Sequence, residues 1–149
     1  DFTELAQSDD PTRLWKWAPK ITTAGFVLAL LGAAGSGLLL RPLIEVIYGE
    51  AFVPPQLAAT LGGAGVGLGL GALFATQMYS ASARGALLAS GWGAGLALSI
   101  IVLIVLDLDP VDRVAAAFVV GEATGLLLLG LIFPMFVVSK SHRVDEGRT

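Results

Sequence analysis

The chain has 149 residues, of which 55% are hydrophobic and only 14% charged, with a formal net charge of −3 and a mean hydropathy of +0.79. A soluble domain carries roughly 25% charge, so this composition has too little charge to cover a water-facing surface and points to an integral membrane protein. It excludes a disordered chain and a nucleic-acid binder. With no cysteine and one histidine, it also excludes thiolate chemistry, Fe–S clusters and disulfides, and argues against zinc.

Residues 1–20 read as a cytoplasmic or interfacial segment. Asp10 before Pro11 is a helix start, an acidic cap followed by proline in the first turn. Trp15 and Trp17 then fit an aromatic belt, with Lys16 and Lys20 reaching lipid phosphates.

Four stretches follow, at about 21–40, 57–78, 85–106 and 114–138. Each holds roughly 20 or more residues, enough at 1.5 Å per residue to cross a hydrocarbon core of ~30 Å. None contains Lys or Arg. The expected fold is all-α, a polytopic four-helix membrane domain over 21–139 with a tail at 140–149 that includes the solvated His142. With alternating helices, Arg13, Lys16, Lys20, Arg84, Lys140, Arg143 and Arg148 share one side, while Arg41 and Arg113 share the other. The excess of Lys and Arg on the first side places both termini in the cytoplasm.

The first outer loop contains Leu43, Ile44, Ile47 and Tyr48 near helical spacing, with Arg41, Glu45 and Glu50 as its polar members. This pattern predicts a short amphipathic helix at about 42–49 lying in the outer interface. Gly49 ends it, and Pro54 and Pro55 break the backbone before the second span.

Glycines recur every four residues. Gly63, Gly67 and Gly71 lie on one face of the second span, and Gly65 and Gly69 form a second, rotated pair. Gly32 pairs with Ser36 in the first span, Gly91 with Gly95 in the third, and Gly121 with Gly125 in the fourth. Such spacing lets helix backbones approach closely in lipid, and it also suits helices that bend or slide, as transporters require.

Glu122 is the single acidic residue inside a predicted span, roughly 13 Å deep at 1.5 Å per residue. A charge at mid-bilayer costs at least ~2.5–3.5 kcal/mol, so the group needs a partner, water or a proton. It reads either as a coupling or substrate residue, or as an acid whose hydrogen bonds hold helices together. Thr76 and Gln77 near the cytoplasmic end of the second span either cross-link helices or touch substrate. Trp92 either stacks on a sugar ring or fills a gap in the bundle. No nucleophile–base pair, phosphate-binding loop or metal cluster is recognisable, so no enzyme activity and no cofactor is expected. The glycine run lies inside an apolar span and is not a dinucleotide fingerprint.

Three stretches carry a family resemblance. They are RPLIEVIYGEAFVPP at 41–55, LFATQMYSASARG at 73–85 and LDLDPVDRVAAAFVVGE at 106–122. In order and spacing they resemble the C-terminal part of the O-antigen type lipid-linked oligosaccharide flippases, which belong to the multidrug/oligosaccharidyl-lipid/polysaccharide exporter superfamily. The chain departs from the family pattern at Asp112, Arg113 and Val114, and at Gly91, Trp92 and Gly93, where the family often carries an asparagine.

The resemblance implies a bacterial inner-membrane protein that flips lipid-linked glycan by alternating access. It implies a larger body of a dozen or more helices, with this chain as the last four. The partners expected on that reading are membrane lipid, lipid-linked glycan and the missing N-terminal helices, and no nucleic acid. A cation- or proton-coupled drug antiporter is an alternative. A homo-oligomeric proteolipid or scaffold is another.

Overall fold

The computed structural model describes residues 15–135, and these are helical except at short connections. We number the α-helices α1 (Ala18–Gly35), α2 (Arg41–Tyr48), α3 (Gln56–Ala81), α4 (Gly85–Val105) and α5 (Pro110–Leu127). Wider π-helical turns at Ser36–Leu40 and Leu128–Ile132 extend α1 and α5, and a 3₁₀ turn spans Glu50–Phe52. Among the described residues, four continuous helices are long and apolar enough to cross a membrane: Ala18–Tyr48, Gln56–Ala81, Gly85–Val105 and Pro110–Met135. The fold is thus all-α and multi-pass, as the apolar runs imply. The Asp10–Pro11 helix start, the end of the fourth span at 138 and the tail at 140–149 lie outside the described residues.

Glycine spacing explains the packing. A side-chain carbon at Gly71 would lie 2.7 Å from the Gly25 Cα, and one at Gly67 would strike the backbone of Leu28 and Ala29. Gly63 meets Gly32 in the same way. The Gly63/Gly67/Gly71 face therefore carries the crossing of α3 with the antiparallel α1. Gly65 and Gly69 are rotated by about 200° at 100° per residue and face the parallel α5, where they receive Phe118 and Glu122. Antiparallel α4 packs on α5 through Gly95 against the Gly121 carbonyl and Gly91 against Leu129. The result is a row, α1–α3–α5–α4, with α3 flanked on opposite faces. Its buried apolar residues follow α3: Leu68, Ala72, Ala75, Met78 and Tyr79, joined by Leu126 and Leu129 from the α5 side.

Two expectations change. The first helix does not stop at residue 40: the backbone stays helical through Arg41 and on to Tyr48, where Gly49 ends it as expected, so residues 42–48 are continuous with the first span. The second concerns Trp15. It is buried at 5% relative exposure, with its ring edge-on to Tyr79 at 5.2 Å and the Arg84 guanidinium 5.7 Å from its centroid. Trp17 does face outward at 45%, with the Lys20 ammonium 4.6 Å from its ring.

The continuity past residue 40 has a specific cause. Pro42 and Pro134 each follow two residues after a π-turn. A proline ring clashes with the carbonyl four residues back and supplies no N–H. The wider turn relieves the clash but leaves the carbonyl five residues back without its donor. In both helices a side chain from α3 replaces it. Gln56 Nε2 donates to the Gly37 carbonyl at 2.7 Å, and the Tyr79 hydroxyl donates to the Leu129 carbonyl at 2.8 Å.

Candidate functional site

Glu122 lies midway along the helix Pro110–Met135, at the depth expected for the bilayer midplane. Its side chain and that of Phe118, one turn earlier on α5, enter the groove that Gly65 and Gly69 leave open on α3. A side-chain carbon at Gly69 would sit 3.2 Å from Glu122 Oε2. This oxygen is buried and has no hydrogen-bond partner among the described residues. An unpaired polar group in an apolar surrounding is costly, so the notch holds an acid whose needs the described residues do not meet.

Trp92 reaches the same region from α4. Its ring packs over Gly125, three residues after Glu122, and its indole Nε1 donates to Thr76 Oγ1 at 3.2 Å. The Thr76 hydroxyl donates in turn to the Ala72 carbonyl at 2.9 Å. Trp92 thus ties α4 to α3 across the face of α5, which fits the gap-filling alternative. Thr76 lies seven residues from Gly69, two turns along one face of α3 and about 10 Å away at 1.5 Å per residue.

Gln77 does not join them. It is exposed, because one residue rotates it about 100° from Thr76 onto the outer side of α3. The structure therefore brings Glu122, Gly69, Trp92 and Thr76 to one side of α3 and separates Gln77 from them.

The glycines chosen for packing, Gly63, Gly67, Gly71, Gly91, Gly95, Gly121 and Gly125, all lie where another helix passes. Ser99 adds a polar link between α4 and α5, donating to the Ala117 carbonyl at 2.8 Å. Sequence reasoning missed Gln56 and Tyr79 as partners of the proline-freed carbonyls. The available signal was a proline inside each helix, which demands a donor from somewhere else.

A shallow groove lined by Pro19, Lys20, Thr23 and Ala24 lies on α1 and contains none of the candidate residues. Among the described residues no three of His, Cys, Asp and Glu gather in a way that could hold a metal ion. Comparison with family models, with curated proteins and with solved structures gives no match to this chain.

Proposed function

We propose that this chain is part of a membrane transporter that flips lipid-linked oligosaccharide or polysaccharide precursors across the cytoplasmic membrane by alternating access. The observation that carries the transport reading is the Glu122 carboxyl at mid-span, with one oxygen buried against Gly69 and unpartnered. Ionisable groups inside a bilayer are expensive and mark ion or substrate pathways. In this reading Glu122 takes up and releases a proton or a cation, and Trp92 and Thr76 frame the side of α3 along which it does so. The lipid-linked glycan rests on the resemblance of the stretches 41–55, 73–85 and 106–122. Its polar head would cross through a cavity completed by further helices while the lipid tail stays in the bilayer.

The packing suits such a cycle. Close glycine crossings make α1 with α3, and α4 with α5, into stiff pairs. The proline-associated π-turns are places where a helix can bend without exposing a bare carbonyl to lipid.

The test is a flipping assay on the complete protein in liposomes, using a fluorescent lipid-linked oligosaccharide and a membrane-impermeant quencher. Glu122→Gln keeps size and polarity but cannot carry the charge. We expect it to insert normally and to lower the flipping rate at least about tenfold, in the range of one lost acid–base group. An unchanged rate overturns the role of Glu122. A second reading is a cation-coupled drug antiporter, favoured by the acid Glu122 and the aromatic ring of Trp92 lying on the same side of α3. The antiporter reading predicts that small organic cations compete for the site, whereas the flippase reading predicts that they do not.

A further inference from the structure

The helix α2 stands beyond the end of the bundle. Gln56, the first residue of α3, sits against Gly37 and Arg41, so everything after Arg41 projects past the start of α3. The whole helix Ala18–Tyr48 has 31 residues, about 46 Å at 1.5 Å per residue, against a hydrocarbon core of about 30 Å. Bridging that difference by tilt alone needs about 49°, beyond the usual range of 0–40°. None of α2 is buried, and its substantial contacts are only with the turns on either side of it.

Its faces are sharply divided. At 100° per residue, Leu43, Val46 and Ile47 share one arc of about 100°, with Arg41, Glu45 and Tyr48 on the opposite side. The apolar arc is fully exposed, Val46 reaching 85%. It follows directly on Leu38 and Leu39, which are also exposed at the end of the first span. Tyr48, a residue type that anchors at headgroup depth, ends the helix, with the Phe52 ring 6.5 Å from its own.

The joint between span and α2 is built to bend. It is the π-turn Ser36–Leu40, with Gly35 and Gly37 at its start and Pro42 beyond it. A side-chain carbon at Gly35 would meet nothing within 4 Å. Gln56 fastens the joint to the start of α3: it donates to the Gly37 carbonyl and accepts from Arg41 Nη1 at 3.1 Å.

We propose that α2 is a hinged membrane-surface helix. It swings at the Ser36–Leu40 turn and lays its Leu43–Val46–Ile47 arc into the headgroup boundary of the bilayer, and the Gln56 fastening opposes the swing. The partner is a lipid surface, because the apolar arc follows on the exposed leucines at the end of a membrane-spanning helix and its polar side carries Arg41, Glu45 and Tyr48 toward the headgroups. The proposal is independent of what the protein transports.

The chain has no cysteine, so a thiol introduced at one position carries a spin label without competition from its own residues. Labels at Val46→Cys and Glu45→Cys in the complete protein, in phosphatidylcholine/phosphatidylglycerol liposomes, are read by collision with oxygen and with a water-soluble nickel chelate. We expect position 46 to favour oxygen, at a depth just below the phosphates, and position 45 to favour nickel. Gln56→Leu should move the equilibrium further toward oxygen at 46 by about fivefold, the population change for one net hydrogen bond. Nickel access at both positions means α2 stays upright in water and overturns the proposal. An immobile label at 46 shielded from both reagents means protein covers the arc, and also overturns it. An unchanged ratio in Gln56→Leu removes the fastening role.

Discussion

Individual glycines in this protein do unequal work, and their neighbours decide which. At Gly67 an added carbon would meet the backbone of α1, which cannot swing aside. At Gly62 it would meet nothing within 4 Å. Gly67→Val should therefore destabilise the protein by about 1–3 kcal/mol or more, as overpacking does. Gly62→Ala should be neutral or stabilising by up to about 1 kcal/mol through helix propensity. Unfolding in mixed micelles of increasing denaturing detergent measures both, and equal costs at the two positions would refute the packing account.

The four-residue glycine rhythm was legible in the sequence, as was the isolation of Glu122. The pairing of Glu122 with Gly69 was not, because it depends on which helix lies beside which. Gln77 shows the same limit. Its helix is apolar all round, so no polar stripe sets its rotational phase, and a neighbouring pair such as Thr76 and Gln77 divides between inside and outside. With Gln77 exposed, Gln77→Leu should change stability by no more than about 0.5 kcal/mol and leave transport intact. A loss of transport there would return Gln77 to the site.

At the scale of the element, the two proline-associated turns follow one rule. Gly37 precedes Pro42 by the same interval that separates Leu129 from Pro134, and each orphaned carbonyl is met by α3. Composition showed where the apolar runs were, but Arg41 and Pro42 looked like the end of a helix. The helix continues because the π-turn accommodates the ring and Gln56 supplies the missing donor. A double-mutant cycle checks the rule at the other turn. Tyr79→Phe removes the hydroxyl and should cost about 0.6 kcal/mol, up to about 1.7, as interhelical hydrogen bonds in membranes do. In a Pro134→Ala background the restored N–H can reach the Leu129 carbonyl, so the same change should cost less. Strict additivity of the two substitutions would show that the hydroxyl and the proline are unconnected.

Across the whole molecule the four spanning helices form a row with α3 inside it, while α1 and α4 turn most of their surface outward. All-α, multi-pass character followed from composition and the length of the apolar runs, since twenty such residues in a row have few other uses. The order α1–α3–α5–α4 could not be read that way. It rests on small-residue faces that fit several partners equally well until the chain is folded. The outward faces of α1 and α4 agree with lipid contact or with further helices packed against the row, as the transporter proposal requires.

The most direct measurement is the ion flux that accompanies substrate movement. The complete protein is placed in liposomes carrying internal pH- and sodium-sensitive dyes, and lipid-linked oligosaccharide is supplied on one side. With Glu122 as the coupling group, substrate should drive a proton or sodium flux that Glu122→Gln abolishes without loss of inserted protein. A flux of equal size in Glu122→Gln would contradict the account and leave the mid-membrane carboxyl as a packing element.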